Sequence, residues 1–180
     1  SREGIIIDSI YYKDFPSIKP NEDFRKINFD SIPEGILKRC NINLNEGSIK
    51  THILSEQCCE FAMVNPNKQS LSADYTWMAV ASKKRGNGPL QSIKKLNLSN
   101  LEESFWNAGP RGFLSEPLMI PKAQSIEEDE GWIIALVWNG IRSGTDLVIL
   151  SSDTLKEEAI LELPIKIPHG LHGSWVEQSM

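Results

Sequence analysis

The side chains here that could hold a metal, attack a substrate or move a proton are few. The 180 residues include three histidines, His52, His169 and His172, and three cysteines, Cys40, Cys58 and Cys59. His52 sits in the alternating stretch Ser48-Ile49-Lys50-Thr51-His52-Ile53-Leu54, which predicts a strand and makes it a surface or half-buried residue. His169 and His172 lie close together near the end, but an isolated histidine is seldom a ligand on type alone. The cysteines are odd in number, and Cys58-Cys59 are adjacent rather than spaced as C-x-x-C. They therefore indicate neither a disulfide framework nor a zinc site, and read as reduced, semi-buried thiols of a cytosolic protein. The run Glu127-Glu128-Asp129-Glu130 offers oxygen ligands without the alternation of an EF-hand loop, so it reads as a solvated turn. Lys83-Lys84-Arg85 and Lys94-Lys95 read as exposed loop and strand charges. Glu60 and Glu116, taken singly, also read as solvated charges, because glutamate is seldom buried unpaired.

The elements that must position these residues are short. Apolar, β-branched runs occur at Gly4–Tyr12, Gly35–Leu44, Ser48–Leu54, Tyr75–Ser82, Pro89–Asn97, Pro117–Pro121, Gly131–Trp138, Asp146–Ser151 and Ala159–Ile167. Turn clusters separate them, among them Asn45-Glu46-Gly47 and the stretch 139–144, each joining two strands as a hairpin. Pro16–Ile32 is polar enough for an insertion or long loop, and Asn21–Asn28 is a weak helix candidate. About eleven strand candidates make an all-β meander, enough for nearly three four-stranded propeller blades. Composition alone leaves a sandwich or an open barrel equally in view. A formal charge of −5 argues against a nucleic-acid partner, which would call for a basic stripe. The longest apolar run, Trp132–Trp138, suits a buried strand and falls far short of a membrane span. Ser1-Arg2-Glu3-Gly4 carries no initiator Met and leads straight into a strand, so the expectation is that residues precede it.

Four segments in order resemble the carotenoid cleavage oxygenase family, which includes apocarotenoid- and stilbene-cleaving dioxygenases and the retinal pigment epithelium isomerase. They are Gly4-Ile5-Ile6-Ile7-Asp8-Ser9-Ile10-Tyr11-Tyr12; Cys59-Glu60-Phe61-Ala62-Met63-Val64-Asn65-Pro66; Ser115-Glu116-Pro117-Leu118-Met119-Ile120-Pro121 with Glu128-Asp129-Glu130-Gly131-Trp132; and Pro168-His169-Gly170-Leu171-His172-Gly173-Ser174-Trp175. The resemblance implies the C-terminal blades of a seven-bladed β-propeller, an incomplete ring in which residues 1–180 form part of one domain. It implies Fe(II) on the propeller axis, held by four histidines, three of them oriented by glutamates. By position His172 is the fourth ligand. Glu116 would orient His172, and Glu60 would orient the third histidine, which with the other ligands would lie upstream of Ser1.

The residue types suit that chemistry. Imidazole binds Fe(II), and a carboxylate accepting the Nδ1–H fixes the tautomer that leaves Nε2 for the metal. Gly170 and Gly173 would let backbone approach a crowded axis. The implied reaction inserts both atoms of dioxygen across a conjugated C=C bond of a carotenoid or apocarotenoid, giving two carbonyls, with Phe61 and Leu171 as wall residues for the lipophilic polyene. Ala62, Ser115 and Leu171 depart from the family pattern where pocket shape is set, which leaves the substrate open. An isomerohydrolase lies within the same family. The alternative from another class is a truncated, non-catalytic β-rich remnant acting as a binding or structural protein. Such a piece of a ring is expected to self-associate or to need its N-terminal half, and the expected location is cytoplasmic, with peripheral membrane contact left open.

Overall fold

In the computed structural model, residues 4–15, 17, 19, 21–23, 26–83, 86–170 and 172–176 are described. Among these residues twelve strands follow one another: β1 Gly4–Tyr12, β2 Gly35–Asn43, β3 Ser48–Ser55, β4 Cys59–Met63, β5 Tyr75–Ala81, β6 Leu90–Asn97, β7 Glu103–Asn107, β8 Gly112–Leu114, β9 Leu118–Pro121, β10 Gly131–Asn139, β11 Gly144–Ser151 and β12 Glu157–Glu162. They form three antiparallel sheets, ordered β1-β2-β3, β4-β5-β6-β7 and β12-β11-β10, with β8 and β9 pairing in succession along the free edge of β10. No described residue is in an α-helix. The weak helix candidate at Asn21–Asn28, partly outside the described residues, shows turns instead, with Asn21 at φ 65.

Both expected hairpins form, and each is opened by an asparagine. Asn43 Oδ1 accepts from the N–H groups of Asn45 and Glu46, and Asn139 Oδ1 does the same for Ile141 and Arg142. The last strand ends at Glu162 rather than Ile167, because Pro164 cannot donate to the ladder. β4, β7 and β8 were not among the strands expected from the sequence; β4 has only five residues and its register with β5 shifts. β7 is an exposed outer strand with no apolar alternation, and β8 is only three residues long.

The sheets stack face to face, and β5 shows how. Its run Tyr75-Thr76-Trp77-Met78-Ala79-Val80-Ala81 is buried almost throughout. Trp77 and Ala79 enter one core with Leu114, Met119, Ile133, Ala135, Val137, Val148 and Leu150 of the third sheet. Met78 and Val80 enter the other with Leu37 and Leu54 of the first. A strand covered on both faces reads as a continuous apolar run, which is the signal seen here.

Buried polar latches fasten the second sheet to its neighbours, and they correct two readings made from the sequence. Far from being solvated, the Glu128 carboxylate is buried, and it accepts from the main-chain N–H groups of Asp74 (2.9 Å) and Tyr75 (2.9 Å). Lys94 and Lys95 are likewise buried rather than exposed. Being neighbours on a strand they point to opposite faces. Lys94 reaches Ser55 (2.9 Å) and Glu103 (2.6 Å), whereas Lys95 reaches Asp129 (2.5 Å) and the main-chain oxygen of Asp153 (2.8 Å). The Trp77 indole adds a bond to the main-chain oxygen of Ser152 at 2.9 Å. Burial of each charge is offset by a partner of opposite sign or by oriented amides.

The outer faces of the two end sheets stay apolar and open. On the first, Ile5, Ile42 and Ile49 stand in register, with Ile5 48% and Ile49 64% exposed. On the third, Leu136, Leu147 and Leu161 form the corresponding row, and Leu161 is 47% exposed.

Candidate metal centre

Two edge strands are interrupted at a glutamate. In β4 the register with β5 breaks between Glu60 and Met63, and Phe61 takes a positive φ of 56, a conformation rare for a bulky residue. In the third sheet the edge formed by β8 and β9 breaks across Ser115-Glu116-Pro117, where Pro117 has no N–H to give. Each break frees the glutamate side chain from the regular pleat.

At the second break the expected pair meets. Nδ1 of His172 lies 3.3 Å from Oε2 of Glu116, and the same oxygen accepts the Gly173 main-chain N–H at 2.8 Å. The glutamate side chain is 18% exposed and the imidazole 78% exposed. With the ring proton on Nδ1, the bond runs from His172 to Glu116 and the Nε2 lone pair faces outward. The Phe61 ring from the first break meets the imidazole edge-to-face, with centroids 5.9 Å apart. One exposed histidine is thus held by groups from two sheets.

Glu60 has a different partner. Its Oε1 accepts a close hydrogen bond from the Tyr12 hydroxyl, across from the first sheet. Burial first, then that bond and the charge of Glu60, hold the Tyr12 phenol well above its ordinary range. Tyr12 was not read from the sequence as a site residue; only its place at the end of the family-like strand Gly4–Tyr12 could have pointed to it.

The remaining candidates lie apart. His52 is exposed and near Asn41, as its strand pattern implied. Exposed His169 lines an apolar groove of about 620 Å³ with Phe29, Leu90, Phe113, Trp138 and Pro168. Leu171 is outside the described residues. Cys58 and Cys59 are buried, and burial pushes the Cys59 thiol up to about 12. Among the described residues no group of three or more His, Cys, Asp or Glu side chains could hold a metal ion. Among the described residues the donor on offer is thus a lone imidazole, His172, held by a carboxylate.

Open antiparallel sheets stacked as propeller blades, with a carboxylate-held histidine at their edge, define a class that comparison makes specific. The family model described as Retinal pigment epithelial membrane protein matches residues 1–177. Apocarotenoid-15,15'-oxygenase of Synechocystis sp. is 35% identical over 175 residues, covering 96% of this chain and 36% of that protein. The lignostilbene-alpha,beta-dioxygenase isozyme III of Sphingomonas paucimobilis is 41% identical over 80 residues, 43% of this chain and 16% of that protein. The solved structure of cobalt-substituted Synechocystis apocarotenoid oxygenase superposes with a TM-score of 0.94 at 33% identity, covering 99% of this chain and 38% of that one. The chain belongs to the carotenoid cleavage oxygenase family, the retinal pigment epithelial membrane protein family of that model. It spans little more than a third of the length of the Synechocystis relative.

Proposed function

We propose that residues 1–180 are the C-terminal blades of a single-domain, non-haem Fe(II) dioxygenase that cleaves a conjugated C=C bond of a carotenoid or apocarotenoid with O2. One oxygen atom ends in each of the two carbonyl products. The observation that carries this reading is the bond between Glu116 and His172, reached from opposite ends of a 56-residue separation. Fe(II), when bound, supplies activation of dioxygen.

The roles of the chain's own residues follow from their contacts. Glu116 fixes the His172 tautomer, and the Gly173 N–H holds the carboxylate in place. Phe61 limits rotation of the imidazole from the side. Three further histidines would come from preceding blades, and Glu60 would orient one of them. Phe61, packed on the imidazole of His172, would form part of the wall beside a lipophilic polyene. The protein is placed in the cytoplasm, and a substrate of this kind, which partitions into lipid, favours peripheral membrane contact.

The test uses the full-length protein, its iron content and ¹⁸O₂. Wild type is expected to carry iron and to place label in both carbonyl products. His172→Ala should lose the activity, and Glu116→Gln should lower iron affinity about 10–100-fold. Iron-loaded protein that isomerises a polyene ester without taking up label would instead identify an isomerohydrolase. An encoding frame that does not continue upstream through three further strand-borne histidines, or a protein that neither binds iron nor consumes oxygen, would identify the truncated, non-catalytic remnant.

A further inference from the structure

Tyr12 closes β1 and stands opposite Gly35, the first residue of β2. A methyl group at Gly35 would fall 2.8 Å from Cζ of Tyr12, 2.7 Å from Cγ2 of Ile10 and 2.9 Å from the main-chain oxygen of Cys59. The missing side chain therefore makes the slot through which the Tyr12 ring crosses from the first sheet to the second. At the far end its hydroxyl donates to Oε1 of Glu60, 48 residues away in sequence. Glu60 needs such an anchor, because the ladder breaks just beyond it and Phe61 turns the main chain through a positive φ. At Glu116 the anchoring donor is a main-chain N–H, that of Gly173. At Glu60 the corresponding place is taken by a phenol.

We propose that Tyr12 is the positioning residue for the Glu60 carboxylate, fixing it so that a histidine from the rest of the protein meets an acceptor already in place. This rests on the reading of Glu60 as a carboxylate that orients a metal-bound histidine. A carboxylate offers about four lone-pair sites on two oxygens. With Oε1 tied to Tyr12, Oε2 faces the imidazole N–H in one orientation. The raised phenol keeps its proton across the working pH range, so the donor is always present.

The experiment compares Tyr12→Phe, Glu60→Gln and the double variant in full-length, Fe(II)-loaded protein. The readout is the rate of iron release to a coloured chelator, with the visible spectrum of the cobalt-substituted forms as a second measure. Tyr12→Phe keeps the ring in its slot and removes only the donor. It should release iron about 10-fold faster than wild type, at the low end of the effect of such partners. The double variant should be no faster than Glu60→Gln, and the cobalt bands of both single variants should shift in the same direction. Wild-type release from Tyr12→Phe alongside fast release from Glu60→Gln overturns the inference and leaves the reading of Glu60 standing. Wild-type release from both removes that reading as well. Multiplying effects in the double variant would show Tyr12 acting through packing, which also overturns the proposal.

Discussion

At the scale of single residues, the molecule turns on carboxylates whose partners are far away in sequence. The Glu116 bond to the Gly173 N–H ties the final described segment to the third sheet. Glu116→Ala should free that segment, and hydrogen exchange at the Gly173 amide should accelerate while amides of β10 and β11 keep their protection. Cys59 yields a pH prediction. An ordinary thiol titrates at 9.0, whereas Cys59 is pushed up to about 12, by burial first and then by the charge of Cys58. Between those values the folded state keeps a proton that the unfolded state has lost. The stabilisation is thus complete below about pH 9 and declines as pH climbs toward 12. The urea midpoint should fall through that window, and less steeply in Cys59→Ala. Of the site itself, His172 and Glu116 were legible because they sit in family-like segments. Tyr12 was not, since a tyrosine ending a strand looks like any other until the neighbouring sheet supplies Glu60.

At the scale of elements, hydrophobic periodicity revealed the interior strands and failed at the periphery. β5 and β10 were plain because their side chains are covered on one or both faces, whereas β7 faces outward and shows no alternation. The charged segments misled for a related reason. Glu128 looks like part of a solvated run, yet its acceptors are satisfied by main-chain N–H groups over 50 residues away, which leave no trace in side-chain pattern. Glu128→Gln keeps the size but places an amide donor against amide donors. It should destabilise the chain by about 1–3 kcal/mol in urea titration, the range for a buried polar group left unpaired. Glu130→Gln, two residues on and more exposed, should change stability far less.

At the scale of the whole molecule, the middle sheet is buried on both faces while the end sheets each present an apolar row to solvent. Rows of that kind on exposed sheets mark surfaces that associate. The isolated chain is expected to sediment as oligomers at micromolar concentration, and Ile5→Lys with Ile49→Lys should shift it toward monomer. A compact wild-type monomer at high concentration would count against this. The isolated chain is also expected to bind Fe(II) at well below one equivalent, by metal analysis after gel filtration, because one imidazole is a weak site.

The Glu128 latch grips its partner loop by the main chain, and the Asp74 side chain points away into solvent. A clasp that recognises only backbone is indifferent to the identity of what it holds. Position 74 should therefore be free to drift over evolutionary time, with proline alone refused for want of an N–H, while position 128 stays constrained. In a library randomised at both positions and selected for folded protein, residue 74 should emerge diverse and residue 128 should return almost uniformly as glutamate.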